Sequence, residues 1–240
     1  MISTLARPLL RTVDDDRRRL TRPSAGLQKV LRAAEHLPGA DPISRYNITV
    51  SHSHRLVWFR VAKVGTRSIF ETLRQAGVSL DLEEPFGISA PRLVTPGYVR
   101  AAFVRHPIDR FLSGWQSTVL KLNHFGFAPA EHEAMKDLGT FIDWFATHDV
   151  ETFDPHLRLQ SALVPEGRLD LLGRMETFDD DLAALLDLIG ATVPNLPRVN
   201  ASPAEPPRLT TAQLDLLLAI YRPDFERFGY EVDRLRHEER

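Results

Sequence analysis

Two short apolar runs govern what this chain can fold into. RLVWFRV (residues 55–61) and VRAAFV (99–104) are the length of strands, and each leads directly into a segment of helical periodicity. After the first comes Thr66–Ala76, stopped by Gly77; after the second comes His106–Leu122, with Ile108, Phe111, Leu112, Trp115, Val119 and Leu122 at helical spacing. Strands alternating with helices predict an α/β fold in a single domain, a mainly parallel, P-loop-like sheet flanked by helices.

The remaining pattern extends this. YNITVS (46–51) predicts a strand next to RLVWFRV across a short polar turn, and Leu169–Gly173 a further core strand. Helices are expected over Leu138–His148, over Asp179–Ile189 behind three acidic residues that suit its positive end, and over Leu209–Tyr221 and Pro223–Phe228. Residues 1–45, with a DDDRRR block, four prolines and one expected helix at Leu27–His36, read as a peripheral N-terminal segment. Residues 46–240 are the expected α/β domain.

Composition removes several classes. The chain of 240 residues carries a net charge of −2, so it is no broadly basic nucleic-acid binder, and cations must act locally. It has no cysteine, which excludes disulfides, thiolate catalysis, zinc fingers and iron–sulfur clusters. With neither an apolar signal-type stretch nor a membrane-span window, the sequence reads as soluble and cytoplasmic. Oligomeric state is not readable from it.

The strand–turn–helix RLVWFRVAKVGTRSIFETL is the most informative segment. Free N–H groups and the helix dipole meet at its turn, which makes an anion site. Gly65 permits close backbone approach, Thr66 and Ser68 carry hydroxyls, and Lys63 is a compact cation, one of only four lysines among 30 basic residues. It is not a Walker A loop, because Lys63 precedes Gly65 and no magnesium-holding pair is evident. At the second turn, Arg105 ends a strand, Pro107 opens a helix and Ser113 follows two helical turns on, so Arg105 and Ser113 can converge on one phosphate. Read singly, Arg105 and Arg110 are equally compatible with surface charges.

Together the two turns resemble the paired motifs of sulfotransferases that use 3′-phosphoadenosine 5′-phosphosulfate. Lys63, Gly65, Thr66 and Ser68 match the turn that holds the 5′-phosphosulfate; Arg105, Pro107, Arg110 and Ser113 match the segment that holds the 3′-phosphate. DPHLRLQ (154–160), LLGRMETFDDDL (171–182), Asn200 with Ser202, and YRPDFERFGY (221–230) are similar to segments of the carbohydrate-type branch. Departures are Ala62 for the usual proline, His106 for an acidic residue, and Leu157 and Leu159 for a Trp and a Pro.

The resemblance implies in-line sulfuryl transfer from that donor to a hydroxyl, of a glycan by the branch, with no metal. Its cofactor-binding positions are Lys63, Gly65, Thr66, Arg67, Ser68, Arg105, Ser113 and Arg174; Lys63 also acts catalytically on the leaving phosphate, and His156 is the preferred general base. His106 is a candidate by position, Glu176 reads as a structural acceptor, and His52 and His54 share one face of a strand. Arg67 and Arg158 are candidates for steering an anionic acceptor, while Phe111 and Trp115 read as core. Two alternatives stay open: a small-molecule kinase-like enzyme, distinguished by magnesium dependence, and a non-catalytic nucleotide-binding module, distinguished by lack of turnover.

Overall fold

The computed structural model describes residues 46–88, 97–167, 169–192 and 207–232, with a few isolated positions between 26 and 36. The helix expected at Leu27–His36 and the Asn200–Ser202 match lie largely or wholly outside the described residues. Among the described residues five strands and six α-helices follow in order. They are β1 (Tyr46–Ser51), β2 (Leu56–Arg60), α1 (Thr66–Gln75), β3 (Leu82–Ile88), β4 (Val99–Val104), α2 (Pro107–Trp115), α3 (Pro129–Met135), α4 (Leu138–Ala146), β5 (Leu171–Arg174), α5 (Phe178–Leu188) and α6 (Thr211–Phe228). No helix among the described residues is long and apolar enough to cross a membrane.

The sheet order is β3-β1-β2-β4-β5. β2 pairs parallel with β4 and β4 with β5, while β1 runs antiparallel to both β2 and β3. Four strands therefore point one way and β1 alone opposes them, as the mainly parallel expectation requires. From β2 the chain crosses to the β3 edge, then returns to lay β4 on the other side of β2. That reversal makes the carboxyl ends of β2 and β4 a topological switch point, the place where open α/β sheets bind ligands. Because Phe59 pairs with Ala102, both anion turns leave the sheet side by side.

β3 has no counterpart in the apolar pattern, since LEEPFGI carries two acidic residues and Pro85. Those are features of an edge strand, where a missing ladder N–H and charges are tolerated. His52 and His54 sit in the turn between β1 and β2 rather than on a strand. There the His52 N–H donates to Asp81 and its ring meets the Tyr98 hydroxyl at 2.9 Å.

Two apolar cores hold the fold. One lies against the sheet and includes Trp58, Phe59, Ile69, Phe103 and Leu182; the other joins α2, α4 and α6 through Phe111, Phe141, Phe145, Leu217 and Tyr221. The segment 154–164 ties them together, for Leu157 and Leu159 enter the helical core and Leu163 and Val164 the sheet core. Phe111 and Trp115 are core residues as expected, and the Trp115 indole donates to the Met135 carbonyl.

Helix α2 stops being α-helical at Trp115 and continues as one π turn, Gln116–Leu120. The Ser117 and Thr118 hydroxyls both donate to the Gly114 carbonyl, and Lys121 N–H reaches back five residues to Gln116. Side-chain hydroxyls competing for a backbone acceptor favour such widening. At the C-terminus α6 runs unbroken through Pro223, where a break is expected from the sequence. Tyr221, Asp224, Phe225 and Phe228 anchor the helix on both sides of the proline by burial.

Candidate active site

The turn after β2 is built by two left-handed residues. Gly65 adopts φ +77° as the N-cap of α1, and Lys63 adopts φ +72° without being glycine. A Cβ at Gly65 would lie 2.8 Å from the Phe178 ring, so the close approach of α5 also demands glycine there. For Lys63 the conformation costs roughly 1–2 kcal/mol, which a turn keeps only when its surroundings dictate it. Burial, reinforced by the charges of Arg67, Lys121, Arg105 and Arg110, lowers the Lys63 ammonium to about 8. Cations crowding a half-buried lysine beside a helix N-terminus form a site for a multiply charged anion. The Thr66 hydroxyl donates to the Val61 carbonyl at 3.0 Å, which closes the turn, while Arg67 is exposed and Ser68 half-buried.

Arg105 follows β4 and is clamped by its backbone. Gln160 accepts from the Arg105 N–H at 3.0 Å and donates to its carbonyl at 2.8 Å. Gln160 is itself fixed by Asp224 of α6, whose carboxylate accepts the Gln160 and Ser161 N–H groups at 2.8 and 2.7 Å. The next peptide is held by Glu176, which accepts the His106 N–H at 2.6 Å and the Tyr230 hydroxyl at 3.1 Å. Glu176 is thus a structural acceptor, as expected. His106 is buried edge-on against Phe225 and Tyr230.

Arg110 is fully buried, contrary to the surface reading open to it. Its guanidinium donates to the carbonyls of Ala62 (3.0 Å), Arg158 (2.7 Å) and Pro155 (2.8 Å). One side chain of α2 therefore binds the Lys63 turn to the loop carrying His156. Burial lowers its pKa, but three carbonyl acceptors and the nearby Asp224 and Asp154 compensate the charge. Arg158 is spent on the Phe153 and Thr152 carbonyls. Ser113 is half-buried on α2, beside Gly114. A Cβ on Gly114 would lie 2.5 Å from Leu157 and 3.0 Å from the His156 carbonyl, so the loop seats directly on α2 there.

In that loop Asp154 receives two histidines. His156 Nδ1 lies 2.7 Å from Asp154 Oδ1, which also accepts the His156 backbone N–H at 2.9 Å; His124 Nε2 lies 2.9 Å from Oδ2. Burial opposes the carboxylate, yet hydrogen bonds from His124 and His156 hold it well below the usual carboxylate range. An ionised Asp154 can only accept, so the protons sit on His156 Nδ1 and His124 Nε2. His156 Nε2 is left to take up a proton, on a side chain 38% exposed. One ligand atom from each of the three side chains lies within 4.8 Å of the others, near enough for a shared cation, and hydrogen bonds join the three.

The sequence-derived positions fall as follows. Lys63, Gly65, Thr66, Arg67 and Ser68 share one turn, Arg105 leaves the adjacent strand, and Ser113 and His156 meet the α2–loop contact around Gly114. Arg174 ends β5, where its guanidinium donates to the Phe228 carbonyl and lies 4.6 Å from the Tyr230 ring centre, so it also ties β5 to the end of α6. Sequence reasoning missed Lys121, His124, Gln160, Asp154 as an orienting group, and Asp224. Lys121 left a signal as a rare lysine, and Asp154, Gln160 and Asp224 stand in the 154–160 and 221–230 segments that carry the resemblance, though no role was read for them; His124 left none.

The geometry defines an α/β protein with two adjacent turns, carrying Lys63 and Arg105, at the carboxyl end of its sheet. The sequence profile of the sulfotransferase family matches residues 46–231, and the chain belongs to that family, whose chemistry is sulfuryl transfer. No curated protein and no solved structure matches the chain significantly.

Proposed function

We propose that this protein transfers the sulfuryl group of 3′-phosphoadenosine 5′-phosphosulfate to a hydroxyl group of a carbohydrate. The observation that carries the reading is the pairing of β2 with β4, which sets the Lys63 turn beside Arg105. The residues of the Lys63 turn fit a multiply charged anion: a left-handed Gly65 at a helix N-terminus and four cations bearing on Lys63. The bound donor supplies an activated sulfuryl group and a phosphate leaving group.

Each residue then has a task. Lys63 and the N–H groups at the start of α1 face the anion and stabilise charge that grows on the departing oxygen. Arg105, held by Gln160 and Glu176 at its two flanking peptides, reads the 3′-phosphate with Ser113. His156 accepts the acceptor's hydroxyl proton at Nε2, and Asp154 steadies the resulting imidazolium. Carbohydrate as acceptor rests on the likeness of the 154–160, 171–182 and 221–230 segments to the carbohydrate-type branch.

The test is a thermal-shift comparison of 3′,5′-ADP, 5′-ADP and ATP with magnesium, since a ligand that binds only the native state raises its melting temperature. 3′,5′-ADP is expected to stabilise most, without metal, and Arg105→Ala to erase its advantage over 5′-ADP. Equal shifts from 3′,5′-ADP and 5′-ADP in the parent would overturn the assignment, and a magnesium-dependent preference for ATP would point to a kinase-like enzyme.

A further inference from the structure

His124 stands 32 residues before His156, on the segment that leaves the π turn, and the two meet edge to face and through Asp154. Their ring centres are 5.3 Å apart at 72°, with the carboxylate bridging Nε2 of one and Nδ1 of the other. His124 is held in turn by Phe125, edge-on at 5.3 Å, and by its backbone N–H to the Thr118 carbonyl inside the π turn. A surface histidine needs no such arrangement, and a lone Asp–His pair does not need the second arm. Oδ1 is taken twice by His156 and Oδ2 by His124, so His124 holds the carboxylate oxygen that His156 leaves open.

We propose that His124 is a positioning residue for sulfuryl transfer, holding Asp154 so that His156 keeps its proton on Nδ1 and offers Nε2 to the acceptor hydroxyl. The proposal rests on His156 being the base. His124 touches neither the reacting hydroxyl nor the donor; it acts through Asp154. The acceptor's proton ends on His156 Nε2, where the imidazolium shares the carboxylate with His124. The two histidines thus share one anion. The other charged groups around them are Arg110 of α2, bonded to the Pro155 and Arg158 carbonyls, and Arg158 on the same loop. The His124 imidazole is shifted toward its charged form by the bond to Asp154.

The experiment uses the full chain, with release of sulfate from 3′-phosphoadenosine 5′-phosphosulfate to water as the activity and a 15N NMR titration of the histidine rings as the second readout. His124→Phe removes both hydrogen bond and charge. Hydrolytic kcat should fall about five- to tenfold with KM unchanged. The His156 midpoint should rise by about half a unit, because Asp154 then serves one ring. Asp154→Asn should move the same midpoint the opposite way and lower kcat further. His124→Gln, which keeps an N–H for Oδ2, should recover the larger part of the rate. A His124→Phe protein whose kcat and His156 midpoint both match the parent overturns the proposal. So does one stoichiometric Zn²⁺ bound by the parent and lost in all three variants, which would make the triplet a metal site. Unchanged hydrolysis in His156→Asn would instead overturn the reading of the base, an outcome distinguishable because the NMR coupling between the rings is measured independently of turnover.

Discussion

Lys63 shows how the site is kept against the interests of the fold. Its backbone is left-handed and its ammonium is partly buried among cations, so it destabilises the unliganded protein. Its pKa is about 8 in the native protein and 10.5 when unfolded, so the unfolded chain holds the extra proton between those values. The handicap is full below pH 8 and is relieved as pH rises through it. Lys63→Met should therefore melt higher than the parent at pH 6.5, with the gap narrowing by pH 9.5, as calorimetry at the two pH values will read. A lower melting temperature at pH 6.5 would contradict this account. Arg110 has the opposite character. Removing it orphans three carbonyls in a buried place, so Arg110→Ala should lose about 3–5 kcal/mol in urea unfolding, and Arg110→Lys should not restore it, because an ammonium cannot span three acceptors held by a planar fork. His156→Asn should cut transfer about 10²- to 10⁴-fold while the 3′,5′-ADP thermal shift persists, since the anion turns are elsewhere.

Among the elements, the decisive contact is α2 against the His156 loop. Gly114 makes it possible, and nothing in the helical periodicity of 106–122 distinguishes that glycine from a tolerated break. Gly114→Ala should push the loop off α2 and lower turnover about tenfold or more. Its nucleotide-induced thermal shift should change little, a combination that steady-state kinetics and melting curves together will test. Element identity itself was legible wherever burial is one-sided or complete: β1, β2, β4, α1, α4 and α5 follow the apolar pattern. β3 escaped because an edge strand has no need of an apolar run. The short α3 and the π turn escaped because capping and competing hydroxyls decide them rather than periodicity.

At the scale of the whole molecule the two cores meet at segment 154–164, and the site lies along that seam. Asp224 of α6 holds Gln160, and Gln160 holds Arg105, so Arg105 depends on a helix about 120 residues further along the chain. Asp224→Asn keeps one acceptor oxygen and sets an NH2 donor against the other N–H, so one of the two bonds is lost. It should cost about 1.5–3 kcal/mol of stability and also shrink the 3′,5′-ADP shift. A stability loss with an undiminished ligand shift would separate the helix from the phosphate site. By itself the sequence determined the alternation of strands and helices, the two turns with their lysine, glycine and arginine, and a histidine in a polar loop, because backbone preference and apolar period act over neighbouring residues. Only the tertiary structure decided that Arg110 is an internal clasp, that Asp154 gathers two histidines and that Gln160 and Asp224 set Arg105. Apart from Asp154 and His156, which are two positions apart, those contacts join residues 30 to 64 positions apart, and their strength comes from burial, which no local pattern of residues records.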